Sequence, residues 1–315
     1  MNDLERLLTT LCARRAGCTT EDRFDHVDAW RAFLEREVWP TWSAPIDRAV
    51  VGGFEADRLG YAFAAGYQSA LSRLIPGLEG WGSLCVTEEG GGHPKAILAT
   101  LEPLDPERAD GALALTGEKR WATLAGDSGV LCVAASRGAR ADGRKALVVV
   151  QIPTTREGVV ITRMPPTPFV PEVTHGAVSL RGVRVAPEEV LPGDGYTGYI
   201  KPFRTLEDTH VSAAVVGFML RIGFAHGWPD AVVGELLQLV GALRGLGLAD
   251  RDAPAVHVAL DGAMGAMTRL GRGEHWASAP DEVRARWARD APLMGIAARA
   301  RQKRLERAWE RLGGQ

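Results

Sequence analysis

Hydrophobic periodicity changes twice along this chain, and that double change excludes most architectures. Leu4, Leu7, Leu8 and Leu11 fall at helix spacing, as do Val27, Trp30, Leu34 and Val38 ahead of Pro40. Leu59, Phe63, Tyr67, Leu71 and Leu74 form a third stripe, closed by Pro76-Gly77. The pattern then shifts. "ALALTGEKRWAT", "GVLCVAAS", "KALVVVQI", "GVVITRM" and "HGAVSLRGVRV" are short β-branched runs separated by Gly, Asp and Pro clusters. Their close spacing predicts hairpins and short loops, hence an antiparallel sheet of roughly six to eight strands. From about residue 205 the helical period returns. Val211, Ala214, Val215, Phe218 and Ile222 make one stripe, Val232, Leu236, Leu237, Val240 and Leu243 a second, and Val256, Leu260, Met264 and Met267 a third.

This order is incompatible with a Rossmann fold or a TIM barrel, both of which alternate strands and helices strictly. The expected class is α+β, with an N-terminal helical domain (1–83), a central antiparallel β domain (84–195) and a C-terminal helical bundle (196–315). In the last helical run, Ser278 is the expected N-cap and Pro292 the expected kink.

Composition narrows the functional classes. A hydrophobic share of 46% with 24% charged residues describes a globular chain, not a disordered one. Net charge is −2 and the basic residues are dispersed, which argues against a nucleic-acid footprint. The cluster Arg299, Arg301, Lys303, Arg304, Arg307 and Arg311 is interleaved with Glu306 and Glu310, the pattern of a solvated helix face. The four cysteines form no CxxC pair, and Cys85 and Cys132 lie in apolar runs as buried thiols. "MNDLERLLTT" is not a secretory signal, and no run approaches the ~18 apolar residues of a membrane span. A cytoplasmic protein with no membrane partner is expected.

Familiar catalytic patterns fail. "GDSG" (Gly126 to Gly129) matches the nucleophile segment of trypsin-like proteases in letters only; it reads as a turn between two apolar runs. "GARADGRKA" has the outer glycine spacing of a P-loop without its Lys-Ser/Thr. The seven His residues never occur as HxH, HxxH or HExxH, so no metal site is expected.

Three segments remain: "LCVTEEGGGHP", "LTGEKRWATLAG" and "LRGVRVAPEEVLPGDGYTGY". Together, and in this order, they resemble the acyl-CoA dehydrogenase family over most of residues 25–315. The family's β domain opens with Val-Thr-Glu and a small-residue loop, here Val86-Thr87-Glu88 and Gly90 to Gly92. It continues with Gly-x-Lys-x-Trp-x-Thr, here Gly117, Lys119, Trp121 and Thr123. It closes with a Val-x-Val-Pro-like segment, here Val183 to Pro187, and Val190-Leu191. "AWERLGGQ" (Ala308 to Gln315) is similar to the helix end that runs into the family's Gly-Gly turn.

The resemblance implies a flavoprotein that oxidises the α,β bond of an acyl thioester, on CoA or a carrier protein, with FAD as hydride acceptor. It implies cofactor contacts from Val86, Thr87, Gly92, Trp121 and Thr123, and substrate contacts from Gly91 and His93. Hydroxyl and N–H donors beside the flavin edge favour reduction, because N1 and O2 gain electron density. Without the resemblance, Thr87 and Thr123 read as strand residues and Trp121 as a core aromatic. A homo-oligomer and an electron-transfer partner also follow from the resemblance.

The chain departs from the pattern in four places. His93-Pro94 replace the family's Ser-Asp. Residues 228–256 lack the Arg-x-x-Phe-Gly segment that grips the flavin pyrophosphate. The N-terminal domain is short. No Glu occupies either usual base position; in "TLEDTH", Thr209 stands where one branch places it. Asp208, Glu207 and His210 are the candidate bases, though a helix turns ~100° per residue and the three cannot share a direction. Weak or lost FAD binding is therefore expected, and the alternative function is a non-redox descendant: a cyclase-like enzyme, a binding protein or a partner subunit.

Overall fold

A computed structural model describes residues 2–105 and 111–314; Gln315, the end of the "AWERLGGQ" segment, lies outside them. The described chain divides into two compact units. Residues 1–73, 167–172 and 205–315 form a helical unit, and residues 74–166 and 173–204 a sheet unit. The N-terminal and C-terminal helices thus share one unit.

The helical unit begins with α1 (Asp3–Ala13), α2 (Val27–Phe33), α3 (Pro45–Glu55) and α4 (Leu59–Leu74). The stripes behave as expected: Leu7, Leu11, Trp30, Leu34, Val38, Tyr67 and Leu71 are all buried. Helix α3 carries Ile46, Ala49, Val50 and Phe54 at helical spacing, all buried, yet it contains Gly52-Gly53, an unfavourable pair inside a helix. Packing explains it. A Cβ at Gly53 would collide with the Ala214 carbonyl, and one at Gly217 with that of Val50. Only glycine lets α3 approach α5 (Lys201–Ala225) this closely. At Gly66 of α4 a Cβ would likewise meet the backbone of Val211, at 2.7 Å.

Around this centre pack α6 (Asp230–Leu248), α7 (Pro254–Leu270), α8 (Asp281–Asp290) and α9 (Ala298–Leu312). Asp47 of α3 and Arg244 of α6 are joined by two hydrogen bonds of 2.7 and 3.2 Å. By length and mean hydropathy α6 could cross a membrane, contrary to the expectation that no segment reaches that apolarity. However, Glu235 and Arg244 interrupt it, and Val233, Leu236, Val240 and Leu243 pack inside the unit.

Two details differ from expectation. Helix α8 is preceded by Pro280, with Ser278 hydrogen-bonded instead to the His275 carbonyl. At Pro292 the helix is broken, not merely kinked: α8 ends at Asp290, a tight turn follows, and α9 restarts after Ala297 at φ 61°.

The sheet unit holds β1 (Gly82–Cys85), β2 (Thr100–Pro103), β3 (Leu113–Thr123), β4 (Val130–Ala139), β5 (Lys145–Pro153), β6 (Val159–Arg163) and β7 (His175–Val185). Their order is β1-β4-β2-β3-β7-β6, with β5 also on β4. The sheet is mixed, which corrects the expected all-antiparallel domain. Pairs β2–β3, β4–β5, β3–β7 and β6–β7 are antiparallel, but β1 runs parallel to β4 and Thr100 of β2 pairs in parallel with Ser136 of β4. Short loops dictate antiparallel pairing only between strands that they connect; β1 and β4 meet across two intervening strands. Leu101, Leu115, Leu131, Val133, Ile152, Val178 and Val183 form the core of this unit.

Candidate functional site

The three quoted segments meet within the sheet unit. Strand β1 leads into Val86-Thr87, and Glu88 to Gly91 close a tight turn through paired backbone bonds of 2.9 and 3.2 Å. Gly91 has φ +96°, which an L side chain rarely adopts. Gly92 lies over the Thr87 side chain, so that a Cβ there would sit 3.4 Å from Thr87 Oγ1. The Arg120 N–H donates to the Thr87 carbonyl at 2.8 Å, tying the Val-Thr-Glu segment to β3.

Buried charge reinforces that tie. Lys119 Nζ, wholly buried, donates to Glu88 Oε1 at 2.6 Å. Glu88 also accepts from the backbone N–H groups of Leu98 (2.7 Å) and Ala99 (3.1 Å). Burial holds the Lys119 amine below its usual pKa, against the pull of Glu88. Nothing in the sequence spacing of Glu88 and Lys119 signals this pair.

Beyond Lys119 the ladder to β7 is interrupted until Ala122. Trp121 takes φ 56°, unusual for a non-glycine residue, and its side chain is 50% exposed. It is therefore not a core aromatic. The next residue but one, Thr123, pairs with His175 across the ladder, and its carbonyl accepts from Ser83 Oγ at 2.7 Å. The His175 ring meets Trp121 edge-on, 5.9 Å between centroids. Its Nδ1 is buried without a hydrogen-bond partner, and burial lowers its pKa. No motif pointed to His175; only the strand register brings it beside Trp121 and Thr123. His93 is exposed, and its Nδ1 accepts from the Lys95 N–H at 3.2 Å, capping the turn Pro94–Ala96.

The three candidate bases lie on α5 in the helical unit. Asp208 is ion-paired with Arg304 and, at 3.3 Å, with Arg301, both on α9. Burial raises its pKa against the opposing pull of the two guanidiniums. These pairs also correct the reading of α9 as a wholly solvated basic face. His210 is fully buried; its Nδ1 lies 2.8 Å from the Leu206 carbonyl, so the ring proton sits there, and Nε2 has no partner. Burial lowers its pKa to about 4. Thr209 donates back to the Thr205 carbonyl at 2.8 Å, and Glu207 is half-buried. Among the described residues no three His, Cys, Asp or Glu side chains gather as metal ligands.

No family model matches the chain, and no curated protein matches it by sequence. Solved structures do. The apo form of PigA aligns over 100% of this chain and 99% of its own, with a TM-score of 0.72 at 14% identity. A glutaryl-CoA dehydrogenase from Mycobacterium smegmatis, in complex with FADH2, aligns over 100% and 95% with a TM-score of 0.69 at 12% identity. This chain has the acyl-CoA dehydrogenase fold. The prolyl acyl carrier protein oxidase AnaB is similar as well, over 98% and 99%, with a TM-score of 0.68 at 14% identity. The parallel pairing of β1 with β4 therefore does not separate the chain from the acyl-CoA dehydrogenase fold, which it matches along its whole length.

Thr87 and Gly92 stack in one turn, and Trp121 offers a half-exposed indole two residues from Thr123. Arg244 is held by Asp47 and by Asp3, whereas Arg251 has a buried Nε with no partner.

Proposed function

We propose that the chain is an FAD-dependent oxidoreductase that oxidises the α,β bond of an acyl thioester. The observation that carries this reading is the half-exposed Trp121, held at positive φ beside Thr123 and tied through Arg120 to Thr87. A packing residue has no reason to accept an unfavourable backbone and leave its indole in solvent; a ring platform does. FAD, when bound, supplies the hydride acceptor. The Thr87 and Thr123 hydroxyls would donate hydrogen bonds to the ring edge, Val86 and Gly92 would border it, and the Trp121 face would pack against it. Gly91 and His93 border the thioester. Arg251, whose buried Nε lacks a hydrogen-bond partner, would meet the pyrophosphate.

Among the candidate bases, Asp208 is engaged by two guanidiniums and His210 is sealed in the helical unit. Glu207 is assigned the α-proton as a half-buried carboxylate two positions before Thr209, in the segment where one branch of the family carries its base. The names of two structural neighbours cover both thioester classes, CoA and acyl carrier protein. Electrons leave through a separate acceptor, and the protein acts in the cytoplasm as a homo-oligomer.

The second reading, a non-redox descendant of the fold, draws on the same losses: Asp208 paired, Thr209 bonded to its own helix, Arg244 captured by Asp47. FAD-loaded protein mixed anaerobically with acyl thioesters on CoA and on a carrier protein separates the two. Bleaching of the flavin by one class, lost in E207Q and kept in H210Q, supports the oxidoreductase. No bleaching by any thioester, with FAD bound, favours the descendant.

A further inference from the structure

A cleft in the helical unit carries more positive charge than its own residues neutralise. It is open, about 340 Å³ in volume, and lies between the end of α1, the following loop, the end of α3 and α5. That volume falls in the range of small-ligand sites. Arg14, Arg23 and Arg221 line it, with Glu55 as the one acid and Cys18 and Phe54 beside them. Glu55 is shared: Arg14 pairs with one of its oxygens, and Arg23 with the other at 2.9 Å. The neighbouring Asp57 is already committed. It accepts from the backbone N–H groups of Arg23 (2.6 Å) and Phe24 (2.9 Å) and from Arg58 Nε (2.8 Å).

Arg221 is left over. It is 4% exposed, its Nε has no hydrogen-bond partner, and its one polar contact is a marginal 3.5 Å approach of Nη1 to the Phe54 carbonyl. Among the described residues no carboxylate pairs with it. A guanidinium stays charged at any relevant pH, so a buried, unpaired one is costly unless something outside the chain completes it. Three guanidiniums, each from a different segment of the chain, against one lining carboxylate leave two positive charges over; Asp57, which also attracts Arg221 and Arg23, lies outside the lining and is held by Arg58. A planar monocarboxylate would answer one charge from one direction; a tetrahedral dianion answers both, with oxygens to spare.

We propose that this cleft binds a phosphate group, as inorganic phosphate or a small phosphate monoester, with Arg221 as its buried anchor and Arg14 and Arg23 at its mouth. The site is independent of the flavin reading and lies wholly within the helical unit. Cys18 makes it measurable. Its thiol lines the cleft, close enough to Arg221 and Arg14 to feel their charge, while Cys12 on α1 is exposed and does not line it.

The test is maleimide labelling of the full chain, read by peptide mass mapping, with inorganic phosphate, phenyl phosphate or succinate added. Occupancy should slow Cys18 labelling at least tenfold at saturating phosphate or phenyl phosphate and leave Cys12 unchanged. In R221M the protection should vanish while the thermal midpoint stays level or rises, because the variant removes an unpaired buried cation. A purely structural Arg221 would instead lower that midpoint. Tighter protection by phenyl phosphate than by phosphate assigns the site to esters, and the reverse to the free anion. Unchanged Cys18 labelling in all three, equal protection by succinate, or undiminished protection in R221M would overturn the proposal.

Discussion

Lys119 and Glu88 form an ion pair of 2.6 Å that has almost no contact with water, and it joins two of the three segments that define the candidate site. Glu88 begins the glycine turn, and Lys119 precedes the break in the β3–β7 ladder at which Trp121 turns outward. The pair thus holds the Thr87 turn and the Trp121 strand in register. Removing one partner strands the other in the core. K119M should cost about 3–5 kcal/mol in urea unfolding. The double variant E88Q/K119M should recover part of that loss, because the Leu98 and Ala99 N–H groups can still donate to the glutamine oxygen. If K119M alone unfolded at the same urea concentration as the parent, the pair would contribute nothing to stability.

A second prediction concerns acid. His210 has an ordinary pKa of 6.5 in the unfolded chain and about 4 in the folded one, because burial opposes the charged ring. Above pH 6.5 both states are neutral and stability is intact. As pH falls toward 4, the unfolded chain takes up a proton that the folded chain refuses, and folding weakens by roughly 3 kcal/mol. H210Q should flatten the dependence of the urea midpoint on pH between 7 and 4.5. An unchanged slope would show that other groups govern it.

The crossing of α3 over α5 leads to a third. A methyl group at Gly53 meets the backbone of Ala214, which cannot rotate away. G53A should therefore destabilise by about 3 kcal/mol or more, despite the better helix propensity of alanine. G234A, on α6 with open space around it, should not destabilise. Thermal midpoints of the two variants decide it.

How far the fold was legible follows from the range of the forces. Helix stripes and strand runs are local, so Trp30, Leu71 and Val133 could be placed in cores from spacing alone. The Gly52-Gly53 pair of α3 could not, because the two glycines are unfavourable locally and make sense only against Ala65 for Gly52 and Ala214, far along the chain, for Gly53. The parallel pairing of β1 with β4 escaped for the same reason. At the site, the motif residues Thr87, Trp121 and Thr123 could be named from the sequence, but their neighbour His175 enters only through strand register. The pairing of Asp208 with Arg301 and Arg304 spans more than ninety positions, and no charge pattern announces it.

The ring platform yields a fourth prediction. Trp121 is half in solvent and its ring contact is with His175, so W121A should change the thermal midpoint little. Its effect on flavin should be larger. Losing an aromatic face and its burial weakens binding by about tenfold or more. T123V should cost a smaller factor, the size of one neutral hydrogen bond, about 0.5–1.5 kcal/mol. Equal flavin affinity in W121A and the parent would remove Trp121 from the site.

Calorimetric titration of FAD into the purified chain tests flavin use most directly. A flavin-dependent oxidoreductase that lacks the family's Arg-x-x-Phe-Gly grip should bind one FAD per chain. Affinity should be reduced by roughly one to four powers of ten relative to a chain with those charge-assisted contacts, and W121A should weaken it further. No detectable heat at any workable FAD concentration, from a chain that remains folded, would contradict a flavin cofactor.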